Sequence, residues 1–313
     1  MSFTDRLAAA VLAAVLAVLR GLPDRWRTAI GGILAVAVYR LNLRLRQRAE
    51  GNLARVMPDI ARRTRRRIAL SMAGNVGRTL AEIMAMPQLL ARAPEFAVGG
   101  PGLATIELAV RSGTGAIIVS GHFGQWEAVR AVLLHKGIQC GAIYRAFNNG
   151  AFDAAFRPMI EQAGRPILTK GRPGMRALVR HLSAGGIAAI LADQRMPGPV
   201  LDFLGQPAQT PLAAAELALR FGLPLVPAYG TRHSDGYTLS VEFEAPIPHS
   251  DAAQMMQAVN DSLAARARRH PEQYLWLHWR WGKPGRYAVP PHMPDGAPGA
   301  NNTDLKQSNV RKD

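Results

Sequence analysis

The segment Gly121-His122-Phe123-Gly124-Gln125-Trp126-Glu127 places an imidazole and a carboxylate five positions apart, between glycines. An imidazole can take a proton from a substrate hydroxyl when a carboxylate holds its other nitrogen. On that chemistry His122 is a candidate general base and Glu127 the carboxylate that orients it. A structural hydrogen bond between the two would use the same spacing, so residue type alone leaves both readings open. A helix starting here would disfavour imidazolium while Glu127 would favour it.

Other polar residues follow short apolar runs in the same manner. Ala116–Ser120 (AIIVS) leads into Gly121-His122, and Cys140–Tyr144 (CGAIY) into Arg145 and then Asn148-Asn149. Ile187–Ala192 (IAAILA) leads into Asp193-Gln194-Arg195, and Leu225–Tyr229 (LVPAY) is a further run. Short buried runs separated by helical stretches predict an α/β fold with a mixed, largely parallel sheet flanked by helices. The intervening helices are expected near 125–136, 152–163, 172–184 and 211–221, with another over Asp251–His270. Thr238–Phe243 alternates and reads as an edge strand. Ligands bind at the carboxyl ends of parallel strands, so His122, Arg145 and Asp193 should converge on one crevice. Arg145 could bind a substrate phosphate or pair with Asp193. Asp193 could orient Arg145 or the substrate, or cap a helix. His278, among Trp276, Trp279 and Trp281, reads as a packed segment.

Upstream of about residue 92 the chain is Ala-, Leu- and Arg-rich and reads as helical. Leu7–Leu19 is uninterrupted Ala, Val and Leu, and a second apolar run covers Ala29–Tyr39. Each is shorter than the roughly 20 residues a membrane span needs. Asp5 and Arg6 make a weak signal-peptide start, and no Ala-x-Ala site follows convincingly, so residues 1–39 are expected to form a hydrophobic anchor. Between Arg40 and Arg78 stand eleven Arg against Glu50 and Asp59. An apolar anchor followed by a cationic helical stretch suits an anionic cytoplasmic leaflet. Residues 40–289 are expected to form the main domain, with an Arg-rich helical region over 40–92. Residues 290–313, rich in Pro, Gly and Asn, read as a disordered tail.

Four ordered segments carry a family resemblance. GHFGQWE resembles the H-x4-[DE] motif of the lysophospholipid acyltransferase superfamily, and of the bacterial lipid A biosynthesis (late) acyltransferases within it. Ile143-Tyr144-Arg145 with Asn148-Asn149 resembles that family's YR-x-x-x-N stretch. Ala192-Asp193-Gln194 with Phe203-Leu204-Gly205 and Thr210 resembles its DQ…FFG…T segment, and Pro271–His278 (PEQYLWLH) its closing motif. The resemblance implies an acyltransferase fold with a membrane-associated N-terminus. It implies acyl transfer from acyl carrier protein, or acyl-CoA, to a hydroxyl of a lipid A precursor at the cytoplasmic face of the bacterial inner membrane. His122 and Glu127 would be catalytic, and Arg145, Asp193, Gln194 and Asn148 would bind substrate. Arg145 or backbone N–H groups near Gly121–Gly124 would stabilise the oxyanion. The family usually has a basic residue directly after the closing His, where this chain has Trp279 and then Arg280.

The composition fits that reading. The 313 residues carry a net charge of +16, which predicts an anionic partner such as a phosphorylated lipid acceptor, a membrane surface or acidic acyl carrier protein. A glycerolipid, aminolipid or glycolipid acceptor would be served by the same motifs. A non-enzymatic nucleic-acid binder would also be basic, but aromatics are only 6% and no zinc finger, RRM-like or P-loop pattern is present. The single Cys140 excludes a disulfide framework and has no nearby base in sequence to make it a nucleophile. No cofactor is expected. The eight His are scattered without ligand spacing, so no metal is expected either.

Overall fold

The structure is a computed structural model that describes residues 21–147 and 149–282. The expected anchor run Leu7–Leu19, Asn148 and the tail 290–313 lie outside the described residues. The chain begins with helices α1 (Asp24–Leu41), α2 (Leu43–Val56), α3 (Arg62–Ile83) and α4 (Met86–Arg92). An α/β body follows: β1 (Ala97–Gly99), α5 (Gly102–Ser112), β2 (Ala116–Ser120), α6 (Ala128–His135), β3 (Cys140–Tyr144), α7 (Gly150–Gln162) and β4 (Ile167–Thr169). It continues with α8 (Arg172–Ser183), β5 (Ile187–Leu191), a β6 (Val200–Phe203)–β7 (Gln206–Gln209) hairpin, α9 (Ala213–Phe221), β8 (Leu225–Arg232), β9 (Leu239–Phe243) and α10 (Ala252–Arg269).

Seven strands form one sheet in the order β1-β9-β8-β2-β5-β3-β4. Every neighbour pair is parallel except β8–β9. The central strand β2 is buried at every residue, as expected of a strand covered by helices on both faces. Thr238–Phe243 was expected at an edge, yet β9 lies between β8 and β1. Its alternation arises because Glu242 is exposed while Leu239, Val241 and Phe243 are buried. The three-residue β1 takes the edge, too short to leave a periodic signal.

Local chemistry sets the helix ends that frame the crevice. The Asp251 side chain accepts hydrogen bonds from the Ala253 and Gln254 N–H groups and starts α10. Gly222, at φ +64°, ends α9 in the left-handed conformation.

The helix α1 packs on α3 through small residues. A Cβ on Gly77 would collide with the Gly31 carbonyl and with Ala35, and one on Gly31 would meet Ala81 at 2.5 Å and the Gly77 carbonyl oxygen at 2.8 Å. The two backbones therefore approach as only glycine permits. The large apolar residues of α1 point the other way: Trp26 is 67% exposed, Ile33 66%, Val38 58% and Leu41 88%. No single described helix is long and apolar enough to cross a membrane; α1 and α2, bent by 94° at Asn42, meet that test only as a pair.

Candidate active site

Register brings the site together. β2 and β5 pair in parallel with Ser120 opposite Leu191. Two residues further on, His122 and Asp193 therefore leave the carboxyl ends of adjacent strands side by side. His122 Nδ1 lies 2.8 Å from Asp193 Oδ1, and the His122 backbone N–H donates to Asp193 Oδ2 at 2.9 Å. Burial opposes ionisation of Asp193, but the His122 charge and its hydrogen bonds outweigh it and hold the carboxyl well below the usual carboxylate range. An ionised Asp193 accepts only, so Nδ1 carries the proton and Nε2 is left as the basic nitrogen.

The carboxylate partner of His122 is thus Asp193, where the H-x4-E spacing had assigned Glu127. Glu127 is buried and accepts a 2.6 Å hydrogen bond from Arg130 Nη1. Arg130 also donates from Nε to the Cys140 carbonyl at 3.1 Å and from Nη2 to the Gly164 carbonyl at 2.5 Å. Glu127 therefore neutralises a buried cation that ties the start of α6 to β3 and to the loop before β4. The Arg130–Glu127 pair sits on the first turn of α6, and its i, i+3 spacing makes that contact easier than one to His122.

The loop carrying His122 is clamped from three sides. Thr79 Oγ1 on α3 donates to the Gly124 carbonyl at 2.9 Å. The Gln125 N–H donates to the Gly230 carbonyl on β8 at 2.9 Å. The Gly124 N–H donates to the Gln273 carbonyl at 3.0 Å, and the Leu275 N–H to the His122 carbonyl at 3.0 Å. Gly124 has φ +53°, and a Cβ there would run into the Gly230 carbonyl, so the turn requires glycine. Beneath it, Glu82 Oε2 accepts from Gln125 Nε2 and Arg232 Nη2, each at 2.6 Å, and Oε1 accepts from Arg232 Nη1 at 2.9 Å. Glu82 and Arg232 escaped the sequence reading, because nothing local in either segment signals a buried ion pair between α3 and β8.

Three of the backbone donors foreseen for the oxyanion are already engaged. The N–H of His122 goes to Asp193, that of Phe123 to the Gly121 carbonyl at 2.8 Å and that of Gly124 to Gln273. Arg145 is exposed in the loop after β3, and among the described residues no hydrogen bond or ion pair joins it to Asp193, whose oxygens accept from His122. Arg145 is therefore not the structural partner of Asp193. Gln194 is half-buried beside Asp193.

His278 belongs to this site. Its ring centroid lies 4.6 Å from that of His122, edge-on, and Trp126 flanks His122 at 5.3 Å. Its Nε2 is buried without a hydrogen-bond partner. Burial first, then the His122 charge, pushes the His278 pKa down to about 4, so the ring is neutral at neutral pH. Arg280, two residues on, is 1% exposed and donates to the Gln209 carbonyl at 2.6 Å, Thr210 Oγ1 at 2.9 Å and Asn260 Oδ1 at 3.0 Å. It anchors the end of the β6–β7 hairpin to α10.

Possible ligating atoms of His122, Asp193 and His278 lie within 4.8 Å of one another, a grouping that could hold a metal ion. Sequence spacing could not reveal it, since the three residues come from separate segments. Cys140 is fully buried, and burial pushes its thiol up to about 12, which removes it as a nucleophile.

A histidine base oriented by a buried carboxylate, at the carboxyl ends of a parallel sheet, defines a site able to activate a hydroxyl for acyl transfer. A profile of bacterial lipid A biosynthesis acyltransferases matches residues 2–283. Phosphatidylinositol mannoside acyltransferases from two strains of Mycobacterium tuberculosis are 24% identical over 214 residues, covering 66% of this chain and 67% of theirs. The Mycolicibacterium smegmatis enzyme of that name is 23% identical over 184 residues, covering 55% of this chain and 59% of its own. The chain belongs to the bacterial lipid A biosynthesis acyltransferase family. It is an acyltransferase acting on a lipid acceptor.

Proposed function

We propose that this protein acts at the cytoplasmic face of a bacterial inner membrane, moving an acyl chain from acyl carrier protein thioester, or acyl-CoA, to a hydroxyl of a lipid A precursor. The His122–Asp193 pair carries the reading. His122 Nε2 takes the acceptor hydroxyl proton while Asp193 holds Nδ1–H and offsets the imidazolium charge. The alkoxide attacks the thioester carbonyl, and Arg145 is the candidate to meet the oxyanion or a substrate phosphate. Collapse breaks the carbon–sulfur bond, and the imidazolium returns its proton to the leaving thiolate. No covalent acyl-enzyme and no cofactor is required. Glu127 supports the loop through Arg130, while Gln194 and Asn148 are candidates to contact the acceptor.

A second reading places the same chemistry on a mannosylated phosphoinositide or a related glycolipid. It is favoured by the relatives, which carry the name phosphatidylinositol mannoside acyltransferase. The test is a competition. Detergent-solubilised protein receives an acyl carrier protein thioester with a tetra-acylated lipid A precursor and a phosphatidylinositol mannoside in equal amounts, and products are weighed by mass spectrometry. One added acyl chain on the lipid A precursor, absent with His122→Ala, supports the first reading. Acylation confined to the mannoside replaces it with the second. Turnover that persists in His122→Ala removes His122 as the base.

A further inference from the structure

Between α1 and α3 lies a cavity of about 320 Å³ lined by Gly32, Ile33, Val36, Ala37, Arg40, Gly74 and Arg78. Two of these residues are cations and none is acidic. The Arg78 guanidinium is held over glycines. A Cβ on Gly32 would meet its Cζ and Nη1 at 3.1 Å, one on Gly74 its Nη1 at 3.0 Å, and one on Gly236 its Nε at 3.1 Å. Side chains at any of the three would displace it.

No hydrogen bond or ion pair reaches the Arg78 guanidinium among the described residues. Glu82, the carboxylate whose charge favours the Arg78 cation, is already taken up by Arg232, Gln125 and Arg92. Burial and then the neighbouring Arg232 lower the Arg78 pKa, against the weaker opposing charge of Glu82. Ile33 and Ala37 wall the cavity and are also exposed on α1, beside Leu34, Val38 and Leu41. The cationic recess and the apolar strip thus adjoin on one helix, sharing Ile33 and Ala37.

We propose that this recess binds the phosphate of an anionic glycerophospholipid, with Arg40 and Arg78 as the paired donors and the apolar strip of α1 against the acyl region. Guanidinium groups suit phosphate oxygens because their N–H fork matches the oxygen spacing. The apolar strip favours a lipid over a free anion, since it would otherwise remain exposed to water. The proposal rests on the membrane-surface part of the proposed function and is independent of the chemistry at His122.

Vesicle binding of the full chain tests it, with phosphatidylcholine alone and with 30% phosphatidylglycerol. Wild type should prefer the anionic vesicles. Arg40→Gln/Arg78→Gln should cut that preference by about tenfold or more. The charge-matched Arg62→Gln/Arg63→Gln, on exposed residues of α3 outside the recess, should change it by no more than about threefold. The single Arg40→Gln, at an exposed position, is the control for folding and should lose part of the preference. Equal losses in the two double variants would overturn the proposal in favour of diffuse attraction. Wild type that binds both vesicle types equally would overturn the recess but leave the apolar strip standing, and binding to neither would overturn both. Glycerol phosphate supplies the last arm. If it raises the wild-type Tm, the recess variant loses that rise and no vesicle preference exists, a soluble phosphate is the ligand and the lipid assignment fails.

Discussion

Asp193→Asn separates the observed site from the one the motif spacing suggests. Asp193 accepts two hydrogen bonds from His122, at 2.8 Å from the ring and 2.9 Å from the backbone. Asparagine offers one acceptor oxygen and one NH2 donor. If its oxygen faces the backbone N–H, its NH2 faces Nδ1, and the imidazole must move its proton to Nε2, which ends its service as a base. If its oxygen faces Nδ1, two donors confront each other at the backbone. The first arrangement relieves that clash and leaves the wrong tautomer. The same change in the serine-protease triad costs about 10⁴ in kcat. A general-base contribution of about 10²–10⁴ is the expected loss here, or about 3–5 kcal/mol of transition-state stabilisation. KM for the thioester should move little, since Asp193 is 1% exposed and touches His122 rather than the solvent-facing crevice. The assay is kcat in detergent with a fixed thioester and acceptor, joined to ¹⁵N NMR of the His122 ring. A kcat within threefold of wild type, or an unchanged Nδ1–H tautomer, would refute the assignment of Asp193.

Glu127→Ala should act on stability rather than on chemistry. It strips the carboxylate from Arg130, which is 2% exposed, and breaking one side of a buried pair costs about 3–5 kcal/mol; a chemical-denaturation midpoint unchanged from wild type would contradict this. Acid should destabilise the fold through His278. Its folded pKa of about 4 lies below the 6.5 of the unfolded chain, so stability is full above about 6.5, falls as pH drops towards 4, and has lost at most about 3 kcal/mol below that. His278→Phe should flatten that slope in urea titrations at pH 4.5 and 7; an identical slope would remove His278 as its source. Asp193, with its lowered pKa, adds a loss only below the unfolded carboxylate value of 3.8. Gly77→Leu should wedge α1 from α3, because its side chain enters the space of the Gly31 carbonyl and Ala35. A cost of about 1–3 kcal/mol and new proteolytic cleavage near Asn42 are expected, and a cleavage pattern identical to wild type would show that the crossing tolerates the bulk.

The parts of the fold that the residues announced are those with strong local patterns. The runs at β2, β3, β5 and β8 were legible because a buried parallel strand must be apolar throughout. Their order could not be read, yet residue type at their carboxyl ends was enough to send His122, Arg145 and Asp193 to one crevice. The identity of the His122 partner was not legible, because Glu127 is five residues away in sequence and Asp193 is separated from His122 by six elements. Local spacing favoured the wrong carboxylate; strand register decides for Asp193. The role of PEQYLWLH was hidden for a related reason. Gln273 and Leu275 hold the His122 loop through backbone groups, and a backbone hydrogen bond leaves no trace in residue type. The inverted pattern of α1, small residues inward and large ones outward, reads as a simple apolar run until a neighbour of known position is present.

Arginine content shows how a global charge can conceal two kinds of work. A net charge of +16 points to an anionic partner. Five of its arginines are buried: Arg27, Arg92, Arg130, Arg232 and Arg280. Arg130 and Arg280 join separate segments largely through carbonyl oxygens, and Arg92 and Arg232 converge on Glu82. A guanidinium can do this because its five donors lie in one plane and reach several acceptors at once, where a lysine ammonium acts as a point charge. Those arginines are internal fittings, and their positive charge is largely offset by carboxylates or dispersed over carbonyl dipoles. The charge available to a partner lies elsewhere, in exposed residues such as Arg40, Arg44, Arg62, Arg63, Arg66 and Arg67. All six fall in the helical stretch that includes the apolar strip of α1. Once the buried set is separated, six exposed arginines stand in the same helical stretch as the outward-facing apolar residues of α1. That coincidence, rather than the total charge, is the physical argument for a lipid surface on this side of the molecule.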